Sequence, residues 1–393
     1  MISSKKGSEY NVAWNHLRFL ENHHDISLVF GTNGSKIGEI VEDPQLFEKS
    51  NSKKIFIPSD LIIEILNAPN TFGVFKYSFY WAYRRWQKKA FNYCKDNYIF
   101  DKVDLIHFLN PIGFREPGFW YLSGKPLLWG PIGGFPDIPN YGKKISLKEY
   151  LLNTINKVQR SNSRVKKTIK TAKQVYAATT ENKSIIDSYY GVESIYIPEN
   201  GVEPGLLNLD SERFINPKKF EVVWIGSSER RKQLHLMIQV IENSKRDDIY
   251  YHLIGVEEDH KLKKLENVKF YSKIDRDKVL GIIDKCHLHV MTSLREGNPT
   301  VIWETAARGV PTLALNNSGM KDTVSRGLGI IVSNDINYQE LETAVSSILE
   351  KNRILEIHNS LKKKVKEFSW ERRTEFWNSE YSRIIGQTDE KIL

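Results

Sequence analysis

Hydrophobic residues in the second half of the chain come in short runs: "FEVVWIG" (220–226), "YYHLIG" (250–255), "VKFYS" (268–272), "LHVMTS" (288–293), "PTLAL" (311–315) and "GIIV" (329–332). Their length and their content of β-branched and aromatic residues predict strands. The segments between them, such as "LHLMIQVIENS" and "RDKVLGIIDKC", space their apolar residues by three and four and predict helices. Strands alternating with helices pair in parallel and wind doubly, and such sheets bind ligands at the carboxyl ends of their strands. The first half repeats the pattern with "ISLVF", "KKIFIP", "DLIHFL", "PLLWG", "QVYAATT" and "SIYIP". The Pro, Asn and Gly of "IPENGVEPG" (197–205) mark a boundary. The reading is therefore α/β, with Rossmann-like halves over 1–198 and 199–369 and a closing helix over 370–393 ("SWERRTEFWNSEYSRII"). One element is missing. A Rossmann half opens with a buried strand, yet here the Gly turn of "KKGSE" arrives after "MISS", a poor strand. Either that strand is vestigial or translation starts further upstream.

Composition narrows the class. A chain of 393 residues has room for two cores. No apolar run is long enough to span a bilayer, and "MISSKKGSEYNVAWN" lacks the apolar stretch of a signal peptide. Two distant cysteines, Cys94 and Cys286, point to a reducing cytoplasm. The alternation of "CHLHV" around Cys286 reads as core rather than as zinc ligands. The net charge of +9 is uneven: residues 151–180 contain no Asp or Glu, but do contain Lys157, Arg160, Arg164, Lys166, Lys167, Lys170 and Lys173. Such a run is ordinarily a solvated helix face; an anionic membrane surface and an anionic substrate are the candidate partners. No nucleic-acid-binding motif accompanies it, so nucleic acid is excluded. In "TFGVFKYSFYWAYRRWQKKAFNY" (71–93), Phe72, Phe75, Phe79, Ala82, Trp86 and Ala90 form a helical stripe that reads as core. A second set, Tyr77 and Trp81 with Arg84, Arg85 and Lys88, has the composition of a lipid headgroup contact.

The chemistry concentrates in "EGNPTVIWE" (296–304), where Glu296 and Glu304 stand eight residues apart around an uncharged turn. Asn298 is a good N-cap and Pro299 suits the first helical position. A helix starting there points its free N–H groups at the turn, an arrangement suited to phosphate. Thr300 and Glu304 share a face, four residues apart. Carboxylates near a phosphate repel it and instead accept hydrogen bonds from hydroxyls. A ligand with phosphate in the middle and hydroxyls at both ends is a nucleotide sugar.

With those residues in place, "SLREGNPTVIWETAARGVPTLAL" resembles the nucleotide-sugar region of family 4 retaining glycosyltransferases of the GT-B fold, up to Gly309 and Pro311. The resemblance implies that Glu296 contacts the donor sugar, Glu304 the ribose, and the backbone of Gly297 the diphosphate. "WIGSSERRKQLHLMIQVI" is similar to the family's first donor-domain strand, loop and helix. Lys232 then falls on the lysine that neutralises the diphosphate, and Gly226 on the strand glycine. Ser227 stands where the family has Arg, with Arg231 or Arg230 the candidates to supply that charge, and Gln233 stands where it has Gly. "NNSGMKDTVSRGLGIIV" is similar to the loop that closes over the donor, with Asp322 in place of a common Glu. "KKGSEYNVAWN" and "LIHFLNPIGFREPGFWYLSGKPLLWGPIGG" resemble a bacterial surface-polysaccharide branch of the family. They place Gly7, His107, Arg115, Gly133 and Gly134 on the acceptor side, with His107 lining the reaction centre. For His107 a structural role at the strand end is an equal alternative, for Arg115 a buried ion pair, and for the two glycines a folded loop.

The resemblance implies retaining transfer of a sugar to a glycan or lipid-linked acceptor, without cofactor or metal. Its setting is the cytoplasm, with peripheral contact at the inner membrane face as an extension, and its closing helix crosses back to the first domain. Lys232 and the helix start at Pro299 would stabilise charge on the leaving diphosphate. A nucleotide-sugar epimerase and a degenerate binding scaffold of the same fold remain as alternatives. A dinucleotide dehydrogenase is excluded, since no G-x-G-x-x-G opens either half.

Overall fold

A computed structural model of the chain describes Ile2 and residues 9–31, 50–138, 147–257 and 266–389. These residues form two compact units, one running to Glu199 and resuming at Arg373, the other comprising Asn200–Arg372.

The first unit holds β1 (Ser27–Gly31), β2 (Lys53–Ile57), β3 (Ile106–Phe108), β4 (Leu127–Ile132), β5 (Gln174–Ala177) and β6 (Ile195–Tyr196). Its helices are α1 (Glu9–Leu20), α2 (Leu61–Thr71), α3 (Ser78–Asp96), α4 (Leu147–Arg160), α5 (Ser163–Thr171) and α6 (Thr180–Tyr190). Every strand expected from the apolar runs is present, and every pairing is parallel. β4 is buried along its whole length, which explains its unbroken apolar sequence. Two details differ from expectation. The aromatic helix begins only at Ser78, so that Ala82 and Ala90 are core but Phe72 and Phe75 are exposed in the turn before it. The sheet is also in two pieces, β2-β1 and β3-β4-β5-β6. β1 and β3 are the facing ends of these pieces, and residues of both line a cavity of about 630 Å³ together with Ile2, Ala13, Leu17 and Ala82. In the order 3-2-1-4-5-6 of a doubly wound half, that cavity takes the place of the first strand. Met1 and residues 3–8, including the Gly7 turn, lie outside the described residues; Ile2 is buried beside Leu17 and Phe30.

In the second unit β7 (Phe220–Ile225), β8 (Ile249–Ile254), β9 (Val268–Tyr271), β10 (Leu288–Met291), β11 (Thr312–Leu315) and β12 (Gly329–Val332) form one parallel sheet in the order β12-β11-β10-β7-β8-β9. Its helices are α7 (Leu234–Asn243), α8 (Arg276–Ile283), α9 (Thr300–Ala307), α10 (Ser318–Val324), α11 (Tyr338–Ile348) and α12 (Lys351–Lys364). The strand order reverses between β7 and β10, which makes their carboxyl ends the crevice where doubly wound folds bind ligands. Helix α13 (Trp370–Asp389) closes the chain, and its Trp377, Tyr381 and Ile384 pack on Leu20, Leu128 and Tyr176 of the first unit.

Candidate functional site

The loops that leave β7 and β10 carry the expected donor residues and bring them together. After β7 the amide of Gly226 still donates to Ile254, and Ser227 follows, half-buried. A single 3₁₀ turn, Arg230–Lys232, then leads to Gln233, whose φ of 49° and ψ of 45° are left-handed. That is a conformation glycine adopts freely and other residues rarely, which accounts for the glycine of the resembled pattern at this place. Gln233 holds it by donating from its side chain to the carbonyl of Thr292, 3.0 Å away. The turn is tied to the β10 loop twice more. Thr292 Oγ1 donates to the Lys232 carbonyl at 2.7 Å, and the Leu294 amide to the Arg231 carbonyl, also at 2.7 Å.

This stitching sets two cations on one carboxylate. Lys232 Nζ lies 2.6 Å and Arg231 Nη1 2.7 Å from Glu296 Oε1. Lys232 and Glu296 are largely buried, whereas Arg231 is half exposed and also meets Glu229. Arg231 thus brings positive charge to the crevice whose strand-end position is occupied by Ser227. His289, beneath the site on β10, is driven down to about 3 by burial and by the Lys232 charge, so it is neutral here.

The turn after Glu296 differs from expectation in one respect. Helix α9 starts at Thr300 with Pro299 as its N-cap, and no side chain caps it. Asn298 does not serve as the cap because its side chain is buried and accepts from the Trp303 indole N–H at 2.5 Å. The bond spans five residues and fixes the turn from inside. Asn200 secures it from outside, donating to the Asn298 carbonyl at 3.2 Å and to Thr300 Oγ1 at 3.4 Å. The first N–H groups of α9 carry the open donors of any helix start, beside Gly297 and Pro299. Glu304, one turn on, accepts from Arg276 Nε at 2.6 Å, and Arg276 also reaches Glu203 at 2.9 Å. Burial raises the Glu304 carboxyl above its ordinary range, with the Arg276 charge opposing that rise.

Sequence reasoning missed several contributors. Arg276 and Glu203 left no signal, being 73 residues apart and joined only in the fold. Gly319 was legible only as a glycine at a helix start, which can mark a close backbone approach. A Cβ at Gly319 would stand 1.1 Å from the Gly297 carbonyl oxygen, and the Gly319 amide donates to the Glu296 carbonyl at 3.2 Å. Asn317 adds a bond to the Ser293 carbonyl at 2.9 Å. Helix α10 therefore rests directly on the glutamate turn.

The acceptor-side residues fare differently. His107 Nδ1 is bonded to Tyr381 Oη and Nε2 to the Gly130 carbonyl, each at 2.7 Å. Burial lowers its pKa to about 4. Both ring nitrogens of His107 are thus engaged by the protein, as in the structural role weighed for it, and the residue also lines the cavity between β1 and β3. Among the described residues Arg115 forms no ion pair of the kind weighed for it; its bonds run to Gln159, Asn156 and the Gly134 carbonyl, all neutral. Gly133 and Gly134 fold the loop, Gly133 by exchanging backbone bonds with Ile112 and Phe114, and Gly134 with a φ of +87°. Gly7 lies outside the described residues. Cys286, His287 and His289 are core, and among the described residues no group of three or more His, Cys, Asp or Glu is placed to hold a metal.

Solved structures with this architecture are enzymes of sugar chemistry by their titles. A sucrose-phosphate synthase from Thermosynechococcus elongatus matches with a TM-score of 0.64 at 15% identity, covering 97% of this chain and 94% of that one. The lipopolysaccharide outer core galactosyltransferase WaaB matches at 0.61 and 14%, covering 97% and 98%. An α,α-trehalose 6-phosphate synthase from Burkholderia multivorans matches at 0.57 and 10%, covering 81% and 78%. No curated protein sequence matches the chain. Residues 208–368 match the family model "Glycosyl transferases group 1". The chain has the GT-B fold, and this segment of it is similar to that family. The glycosyltransferase match begins after Asn200 and Glu203, yet these two residues brace Thr300 and Arg276 within it.

Proposed function

We propose that the protein transfers a sugar from a nucleoside-diphosphate sugar to a glycan or lipid-linked acceptor, with retention of configuration and without a resident metal. The observation that carries this reading is the convergence of Lys232 and Arg231 on Glu296 beside the start of α9. One carboxylate oxygen serves both cations, and a carboxylate has about four acceptor positions, so Glu296 keeps capacity for sugar hydroxyls. The diphosphate needs positive charge most as it departs, when negative charge builds on its bridging oxygen. Two cations already held in place and a helix start supply that stabilisation without rearrangement. Glu304, braced by Arg276, sits one turn away to accept from the ribose diol. The surface-polysaccharide setting and the inner membrane face are the cellular context proposed with it.

Incubation with a panel of nucleotide sugars, followed by calorimetry and nucleotide release, tests the reading. The expected outcome is binding of one donor, about tenfold weaker in Glu304→Gln. Lys232→Ala should lower turnover by about 100-fold or more. Absence of binding to every donor, or unchanged binding in Glu304→Gln, would refute the donor site. Binding with isomerisation of the sugar and no acceptor would replace transfer by epimerisation, and binding with neither reaction would leave a scaffold.

A further inference from the structure

Helix α4 is built inside out. Asn153, Asn156, Gln159 and Arg160 face the protein and are bonded there. Asn153 exchanges two bonds with the backbone of Ile138, at 2.7 and 3.1 Å. Asn156 donates to the Phe135 carbonyl at 2.9 Å, Gln159 accepts from Arg115 at 2.6 Å, and Arg160 pairs with Asp137 at 2.7 Å. The opposite arc carries Leu147, Tyr150, Leu151, Ile155 and Val158, which expose 76, 63, 53, 38 and 66% of their surface. Positions 147, 151, 155 and 158 follow the spacing of one helical face. An amphipathic helix that only completes a core turns its apolar arc inward. Here the hydrogen bonds of the polar arc fix the reverse orientation, so the exposed stripe is held in place by specific contacts.

The surrounding charge identifies what would cover it. Residues 151–180 include no acid, and Lys157, Lys166, Lys167 and Lys170 are exposed along α4 and α5. The arginines of the same stretch are already neutralised, Arg160 by Asp137 and Arg164 by Glu116. A second copy docking through this face in an isologous contact would bring lysines against lysines. An anionic lipid surface satisfies both parts, the stripe at the acyl boundary and the lysines at the headgroups. A second apolar group is exposed elsewhere in the same unit: Phe72 and Val74 of the α2–α3 turn and Trp81 of α3, with Lys76 and Arg84 exposed beside them in sequence.

We propose that α4 is an interfacial anchor that lies in the plane of an anionic membrane with its Leu147–Val158 stripe inserted. The inference rests on the membrane placement proposed above and is independent of the donor site.

Sedimentation of the full chain with vesicles of phosphatidylcholine, alone and mixed with phosphatidylglycerol, tests it. The unaltered chain should bind the mixed vesicles, and the double variant Leu151→Gln, Val158→Gln should bind them about tenfold more weakly or worse. Both positions are exposed, so matching thermal unfolding and matching nucleotide-sugar affinity should accompany the loss. A separate variant, Phe72→Ser with Val74→Ser, isolates the other patch. Unchanged binding of the α4 variant alongside lost binding of the Phe72/Val74 variant would overturn the anchor and leave the membrane placement standing. Failure of the unaltered chain to bind either vesicle would overturn both. A dimer in light scattering that the α4 variant dissolves would make the stripe a self-interface and overturn the anchor.

Discussion

β7 has a paired neighbour on each side, β8 and β10, and the loops that leave β7 and β10 carry Lys232 and Glu296. β1 and β3 hold comparable central places in the other unit, yet among the described residues each is paired on one side only, and both border a cavity. Among the described residues the two units share one winding and differ in a single central strand. The difference shows what that strand does. Where it is present, it brings two loops to the same crevice and lets six residues stitch them together through backbone and side chain. Where a cavity stands instead, His107 at the end of β3 bonds Tyr381 and the Gly130 carbonyl through its two ring nitrogens.

The comparison breaks most sharply at Gly319. If the crevice owes its function to the close seating of α10 on the glutamate turn, Gly319→Val must displace one or the other, because the added Cβ falls 1.1 Å from a carbonyl oxygen. Nucleotide-sugar affinity should fall by about 100-fold, roughly 3 kcal/mol. Gly281→Ala, where an added Cβ meets nothing within 4 Å, should leave affinity unchanged. Equal behaviour of the two variants in calorimetry would remove the argument from seating.

Two buried carboxyl groups provide the next contrast. Burial raises both, but Glu304 accepts from Arg276, while Glu199 in the first unit has an Oε2 with no hydrogen-bond partner. Glu199 is pushed up from 4.5 to about 8, mainly by burial and further by Glu9, with Arg373 opposing. A raised carboxyl favours the folded state fully below the unfolded pKa and loses that contribution as pH rises through the folded one. Stability should therefore decline between pH 4.5 and about 8. Glu199→Gln should flatten that decline by on the order of 2 kcal/mol in total, measured by urea unfolding at stepped pH. Buried histidines such as His107 act in the opposite direction at lower pH, so the difference between variant and parent isolates Glu199. A parallel pair of pH curves would show that Glu199 titrates normally.

Much of this was legible in the chain. All twelve strands among the described residues coincide with apolar runs, because buried parallel strands leave continuous β-branched and aromatic segments. Lys232, Glu296 and Glu304 were legible because each stands in a short local pattern. The misses share a cause. Asn298 has the character of a cap, but an indole five residues on competed for its oxygen, and sequence does not rank such competitors. Arg276 and Gly319 depend on partners brought in by the fold from 20 or more positions away. Periodicity identifies an amphipathic helix but not which arc faces inward, and α4 turns the usual assignment around.

The smallest effect sharpens the comparison most directly, since it asks whether the two interiors differ in free space. Ala306 of α9 is wholly buried among Met291, Ile302 and Ala314 in the second unit. Ala82 of α3 is equally buried but borders the cavity beside β1 and β3. Ala→Leu adds the same atoms to a helix at both places and changes helix propensity little. In a filled core the added atoms force side chains off their rotamers and cost about 1–3 kcal/mol. In the cavity they gain contacts that the lining atoms now lack, and Ala82→Leu should stabilise the first unit by about 1 kcal/mol. Hydrogen exchange resolves the two units separately: amides of β1 and β3 should gain protection in Ala82→Leu, while those of β10 and β11 should lose it in Ala306→Leu. Loss of protection in both would mean that the space between β1 and β3 is already filled in solution, and the contrast between a complete sheet and an interrupted one would fall with it.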